Sequence, residues 1–398
     1  MAFRLNADSL AVQETAARFS EREIRPNLDR WTRENTFPRE VFQQLGKLGF
    51  LGAAFPEKWG GSEMGILNMV LAAEQVGLAC PDLVTAFNMN AMTAPLAILN
   101  WGNDKQREEY VGPMINGDMI GSIAITESGG GSDAMGNMMT RAVSDGDHWI
   151  INGTKMWITL SPVADACLLF AKHDPSAGHR GVSAFIVRYD DLGVSVSRIS
   201  TTTGSIIPVG EVVLQDVRIP CSRVVGELGE GFRIAMNALD YGRLAVATKS
   251  LATGQKLADL GVAYANGRIA FGNPISHYQM IQLQIADMVT ELAAGRALLY
   301  QASATFDEGL ADTRSAALAK YFLGEVALRI ANAVMEIHGG CSLSADSAVN
   351  HLLQLAHLGR TGEGSANILR IAIAEDAIGL KSMSRHAVAR SFNFAEVS

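Results

Sequence analysis

The sequence predicts an α+β multidomain protein in which a small β-domain sits between two helical ones. Three observations predict it. Helical hydrophobic spacing fills roughly the first third of the chain, short β-branched runs separated by turn residues fill the middle, and helical spacing returns for the remainder. The 398 residues are 48% hydrophobic, enough to bury more than one core. The boundaries expected from these changes of period are 1–120, 121–228 and 229–398.

In the first segment Val41, Leu45, Leu48 and Leu51 recur at helical spacing before the break PEKWGGSEMG. ILNMVLAAEQVGLA continues the helical pattern, and Pro95 and Gly102 punctuate the rest of the segment. In the second segment Asp145-Gly146 joins two strand-like runs as a hairpin. DACLLFAK, GVSAFIVR and EVVLQDVRI then read as further strands. In the third, Ile281, Ile285, Met288 and Leu292 form one apolar stripe, and Leu318, Phe322, Val326 and Ile330 form another that Asp312 is placed to cap.

Composition narrows the function classes. The formal net charge of −8 and pI near 5.5 repel a phosphate backbone, so nucleic-acid binding is not expected. No apolar run reaches bilayer length, and MAFRLNADSLAVQETAARF lacks the apolar core of a secretory signal or the acid-poor character of a transit peptide. Cys80, Cys167, Cys221 and Cys341 are scattered without a CxxC spacing. This reads as free thiols in a reducing cytoplasm, with no metal expected.

Two segments carry chemistry. AITESGGGSD, residues 124–133, has glycines that let backbone N–H groups approach a ligand, although a plain surface turn would look the same. NGTKMWIT places Trp157 in a strand, where a tryptophan is ordinarily core and can also wall a flat ring. Together they resemble the acyl-CoA dehydrogenase family, with its T-E-x-x-x-G-S-D stretch and K-x-W-I-T strand. PEKWGG, GELGEGF, GRIAFGNPISHYQ, EIHGG and GEGSANILR extend that resemblance along nearly the whole chain, in order.

The resemblance implies an N-terminal helical domain, a central β-barrel-like domain and a C-terminal four-helix bundle. It implies FAD lying between the β-domain and the last helices. Ile125, Thr126, Gly131, Ser132, Trp157 and Thr159 are then expected at the flavin ring, and Arg268, Phe271 and Gln279 of a neighbouring subunit at the pyrophosphate and adenosine. Glu336, Gly340, Ser365 and Asn367 fall at further cofactor positions, and Ser132, Asp240, Arg243 and Gly364 at the substrate. An arginine offers the bidentate fork that a pyrophosphate needs. Asp240 and Arg243 read equally well as an intrahelical i,i+3 pair.

The implied reaction removes two hydrogens from the α and β carbons of an acyl thioester, carried on CoA or on a carrier protein. The α-proton needs a general base that is poorly solvated. Glu363, between Gly362 and Gly364, matches the family's catalytic position, although an acid there also suits the start of a helix. Some relatives carry the base on an earlier helix; here Gly242 occupies that position. The resemblance also implies an electron-transfer flavoprotein as acceptor and a homotetramer, with a dimer as the minimum. A flavin oxidase or monooxygenase on the same fold, and a non-catalytic flavin-binding protein, stand as alternatives.

Several positions depart from the pattern. Glu336 stands for a glutamine, Gly362 for an aromatic residue, Gln354-Leu355-Ala356 for Arg-Asp-Ala and Leu160 for an asparagine, and a proline is missing after Glu127. Asn88, Met89, Met92 and Thr93 are placed to line the acyl pocket, where ordinary packing would explain the methionines as well.

Overall fold

A computed structural model describes residues 4–309, 313–344 and 346–383. The chain opens with α1 (Ala7–Phe19), α2 (Leu28–Glu34), α3 (Arg39–Lys47), α4 (Gly65–Ala79), α5 (Pro81–Phe87) and α6 (Ala94–Trp101). The expected Val41–Leu51 stripe is split: Val41 and Leu45 are buried on α3, Leu48 is exposed, and Leu51 is buried in the turn beyond it. Asn88–Thr93, between α5 and α6, winds as a π-helical segment and is buried throughout, a distortion that recurs at functional sites.

The middle of the chain forms β1 (Gly121–Ala124), β2 (Arg141–Asp145), β3 (His148–Thr159), β4 (Ala166–Lys172), β5 (Val182–Arg188), β6 (Val194–Arg198), β7 (Val209–Pro220) and β8 (Val224–Val225). The hairpin expected at Asp145-Gly146 joins β2 to β3, with Gly146 at φ 63°. Strand order runs β6-β7-β3-β2-β4-β5-β8, with β1 added in parallel to β4. Among the described residues the path does not close, which corrects the barrel-like expectation to an open, folded sheet. β2 and β4 touch through a single register pair, Arg141 with Lys172, so the sheet bends sharply there. Trp149, Ile151, Val212, Leu214, Val217 and Ile219 from one side meet Cys167, Leu169, Phe185 and Val187 from the other in a separate small core. β4 and β5 are buried on both faces, because Leu168, Phe170, Ala184 and Ile186 turn outward into the helical core. Their unbroken apolar runs are the consequence.

The C-terminal helices are α7 (Gly231–Gly267), α8 (Gln279–Asp307), α9 (Thr313–His338), α10 (Ala348–Thr361) and α11 (Ala366–Ala377). Met288 and Leu292 of the α8 stripe are buried, while Ile281 and Ile285 are only half-buried. On α9 the buried line is Ala316, Ala319, Leu323, Val326, Ile330 and Val334, so Val326 and Ile330 face the core and Phe322 packs at its margin. The cap expected at Asp312 lies outside the described residues. Among the described residues no helix is long and apolar enough to cross a membrane.

Charged side chains bolt these layers together. Asp307, at the end of α8, accepts from the Ile66 and Leu67 amides at 2.6 and 3.0 Å and so caps α4 across the interface. Asp82 of α5 is 4% exposed. It takes hydrogen bonds from the Ser205 hydroxyl of the β6–β7 connection and from His351 Nε2 of α10 at 3.1 Å. His351 Nδ1 lies 2.6 Å from the Thr203 carbonyl oxygen. Both ring nitrogens face acceptors, an arrangement that favours the doubly protonated ring. Burial disfavours the Asp82 carboxylate, but the His351 hydrogen bond and the Lys249 charge outweigh it and hold the carboxyl below its ordinary 3.8. Burial likewise lowers His351, but the Asp82 hydrogen bond and charge bring it above its ordinary 6.5.

These opposite shifts set a stability window. The Asp82 contribution is complete above pH 3.8 and is lost as pH falls through its lowered native value. The His351 contribution is complete below pH 6.5 and is lost as pH rises through its raised one. His351→Gln is expected to lower the thermal midpoint measurably at pH 5.5, by an amount corresponding to about 1 kcal/mol. The difference from the parent is expected to shrink at pH 9; equal differences at the two pH values would contradict this account.

Candidate active site

Three helices and one loop converge on Glu363. The loop runs from the end of α10 at Thr361 to Ser365, which caps α11 by accepting from the Ile368 amide at 3.4 Å. Glu363 and Gly364 take φ values of 53° and 92°, a left-handed path that costs little at glycine and strains the glutamate. That turn carries Glu363 out of the helix start, so it does not serve as a first-turn acid of α11. Its side chain projects across the loop to α7 and to the π-helical segment.

The facing position on α7 is Gly242. A Cβ there would stand 2.6 Å from Glu363 Cδ, so the carboxyl occupies the space that any side chain at 242 would need. Asn88 Nδ2 donates to Glu363 Oε1 at 2.9 Å, and the other Asn88 amide atom, Oδ1, is buried without a partner. Arg243 Nε lies 3.4 Å from the Glu363 backbone oxygen, while its Nη1 binds Asp240 Oδ1 at 2.6 Å in the anticipated i,i+3 pair. Burial pushes the Glu363 carboxyl up to about 7, against the opposing effects of the Asn88 hydrogen bond and the Arg243 and Lys320 charges. A carboxylate with that affinity for protons can take one from carbon and release it near neutral pH. At Gly362 a Cβ would find nothing closer than 3.8 Å. A side chain there would start in ordinary van der Waals contact with Leu358 and Val246.

A second group of the expected residues gathers on the sheet. Met156 N donates to Thr126 O at 2.9 Å, tying the 124–133 loop to β3. Register shifts between Lys155 and Ile158, where β3 bulges against β7. The bulge turns Trp157 outward at φ 62° and 55% exposure, so it is not the core tryptophan its strand setting suggests. Thr159 ends the same strand. Gly131 and Ser132 are exposed, and added Cβ atoms at Gly129 and Gly130 would meet nothing within 4 Å, while the Gly130 amide donates to the Glu127 carbonyl at 3.2 Å and closes the turn. An aromatic wall beside an open glycine loop fits a flat ring such as isoalloxazine.

The third group lies at the ends of α7, α8 and α9. Arg268 follows α7 in extended conformation and is exposed. Phe271 is 95% exposed at φ 48°, and Gln279 begins α8. Glu336 accepts from Gln284 Nε2 at 2.8 Å, and Gly340 follows in an exposed turn. An exposed guanidinium and an outward phenyl ring on one edge suit the phosphates and the purine of a dinucleotide. Asn367 accepts from Arg370 at 3.2 Å on the surface of α11.

Some residues at the site were not anticipated. Glu127 accepts from the Met139 and Thr140 amides at 2.6 and 3.0 Å and from the Lys155 ammonium at 2.9 Å, and Lys155 also donates to the Ile125 carbonyl at 3.1 Å. Burial lowers Lys155 to about 8 against the Glu127 charge. This buried pair braces the loop under the expected flavin face. Lys320 of α9 is 1% exposed and donates to the Gly364 and Arg360 carbonyls at 2.6 and 3.3 Å. The signal for it was a lysine falling in line with Ala316, Ala319 and Leu323. Asn88, expected at the acyl pocket, donates to the Glu363 carboxylate.

Comparison with known proteins gives a consistent result. Models of the acyl-CoA dehydrogenase N-terminal, middle and C-terminal domains match residues 6–118, 122–217 and 229–378. A glutaryl-CoA dehydrogenase of Desulfococcus multivorans is 34% identical over 390 residues, covering 97% of this chain and 100% of the relative. The solved structure of a glutaryl-coenzyme A dehydrogenase with glutaryl-CoA superposes with a TM-score of 0.94 at 33% identity, covering 98% of this chain and 100% of that one. A glutaryl-CoA dehydrogenase of Mycobacterium smegmatis, solved with FADH2, superposes at 0.87 with 26% identity, covering 94% and 95%.

The Gly242 contact makes a separable prediction. Alanine is the better helix former by about 1 kcal/mol, and the atoms it would meet are the movable end of a side chain. Gly242→Ala should therefore fold with an unchanged or raised thermal midpoint, while its crystal structure shows the Glu363 carboxyl displaced and the 2.9 Å Asn88 contact broken. A carboxyl left in place would refute this reading of the contact.

Proposed function

The chain belongs to the acyl-CoA dehydrogenase family, and from that premise we propose that Glu363 is the base of an FAD-dependent α,β-dehydrogenation of an acyl thioester. The protein is an oxidoreductase acting on CH–CH bonds. The observation that carries the assignment of the base is the carboxyl of Glu363, packed against Gly242, held by Asn88 and poised at about 7.

FAD, when bound, supplies the acceptor for the β-hydride. Ile125, Thr126, Gly131, Ser132, Trp157 and Thr159 would hold its ring, and Arg268, Phe271, Gln279, Glu336 and Gly340 its dinucleotide portion, the latter set offered to a neighbouring subunit. Glu363 takes the α-proton onto its carboxylate. Asn88 keeps that carboxylate aimed while it is charged. Arg243, paired with Asp240, lines the thioester arm without forming a salt bridge to the base. Ser132 and Gly364 border the same cleft, and Ser365 fixes the start of α11 behind it.

Exposed Met280, Leu283 and Val289 on α8 and Ile371 on α11 support a homo-oligomer, a tetramer in this reading. Free thiols at Cys80, Cys167, Cys221 and Cys341 suit a reducing cytoplasm. CoA and carrier proteins are both candidate bearers of the acyl group, and an electron-transfer flavoprotein is the proposed acceptor.

The flavin-loaded protein, mixed anaerobically with a panel of acyl-CoAs and carrier-bound acyl groups, should lose its oxidised-flavin absorbance with at least one of them. Glu363→Gln should abolish the bleaching. The base must be ionised, so the parent's rate should rise as pH increases through about 7. Bleaching that survives the mutation would move the base elsewhere, and oxygen consumption with substrate would favour an oxidase.

A further inference from the structure

Holding a glutamate at positive φ next to a buried glycine demands a restraint, because the strained turn is not self-supporting. The loop between α10 and α11 presents carbonyls that no helix satisfies. The Arg360 carbonyl belongs to the last turn of α10 and the Gly364 carbonyl lies just beyond Glu363. Both converge on one ammonium, that of Lys320, reaching up from the packed face of α9. We propose that Lys320 is a positioning residue for the base: it grips the backbone on either side of Glu363 and fixes the left-handed turn that aims the carboxyl at the cleft. This inference rests on Glu363 being the base, as proposed above.

The charges around the loop favour this role. On α7, Arg243 is paired with Asp240 at 2.6 Å. On α10, Arg360 is paired with Glu325 of α9 at 2.8 Å, and Glu325 also binds Arg370 of α11 at 3.2 Å. The π-helical segment contributes only the neutral Asn88. Among the described residues no carboxylate lies within ion-pair distance of Lys320, and its charge interacts at longer range with Glu363 first and Glu325 second. A lysine is costly to bury in this way, and burial with the neighbouring Arg243 charge lowers it to about 8. A neutral hydrogen-bonding side chain would cap the carbonyls more cheaply. What the ammonium adds is an electrostatic hold on the carboxylate state, because an opposite charge favours ionisation and its loss does the reverse.

The experiment reads the Glu363 proton directly and needs no substrate. In the flavin-loaded full-length protein, the infrared band of the protonated carboxyl that disappears in Glu363→Gln reports on Glu363, and its pH midpoint is measured. Lys320→Met is expected to raise that midpoint by about one pH unit and to speed amide hydrogen exchange at residues 361–365 about tenfold, an opening cost of one decade in the equilibrium. Lys320→Arg, which keeps the cation, should restore the midpoint. Lys320→Gln is the second neutral variant should the methionine variant not accumulate, with the same expected direction. A folded neutral variant whose midpoint stays at the parent value would overturn the proposal and leave Lys320 as a helix cap only. Survival of flavin bleaching in Glu363→Gln would instead defeat the assignment of the base, and the two failures are read independently.

Discussion

Everything at the centre of this molecule depends on keeping one carboxylate poorly solvated without neutralising it. Removing an ionised group from water is expensive unless partners replace the lost hydration. Glu363 is given few partners: one amide N–H on its carboxyl, a guanidinium near its backbone and an ammonium behind its loop. That choice dictates the residues around it. Glycine at 242 leaves free the space that the carboxyl fills. The Asp240 carboxylate beside Arg243 offsets part of the guanidinium's pull on the Glu363 carboxyl.

Two other buried carboxylates in the same chain show the alternative. Glu127 is surrounded by two backbone amides, a hydroxyl and an ammonium, and these partners overcome burial and hold it below its ordinary value. Asp82 is treated likewise by Ser205, His351 and Lys249. Both are joints. Glu127 braces the loop leading into β2 against β3, and Asp82 ties α5, the β6–β7 connection and α10 together. Glu363 is less completely shielded than either by its exposure and lacks most of their hydrogen bonds, and it is the sparse hydrogen bonding that lets burial raise its pKa where theirs are lowered.

The arrangement of layers serves the same end. Glu363, Gly242, Lys320 and Asn88 are far apart in the chain, and each stands on a different element. Helical segments hold three of them, and the fourth stands on a loop braced from below. Such a site stays precise because its supports are packed elements rather than other loops. The bulge that turns Trp157 outward does the same service on the sheet side, placing an aromatic face beside the glycine loop without breaking β3.

The sequence by itself determined what local periodicity and local chemistry can determine. The order of helical, strand and helical regions, the β2–β3 hairpin at Gly146 and the glycine-flanked glutamate at 363 were all readable there, because each is written within a few consecutive residues. Motif resemblance placed the expected cofactor and substrate positions along the chain. Tertiary structure alone decided whether the sheet closes, since one register pair between β2 and β4 sets the bend. It alone turned Trp157 outward and brought Asn88 and Lys320 to Glu363 across 275 residues in one case and two packed helices in the other. Hydrogen bonds between distant elements leave no periodic trace, and the pKa of a buried group is a property of every neighbour at once. No stretch of sequence encodes that sum; only the packed arrangement does.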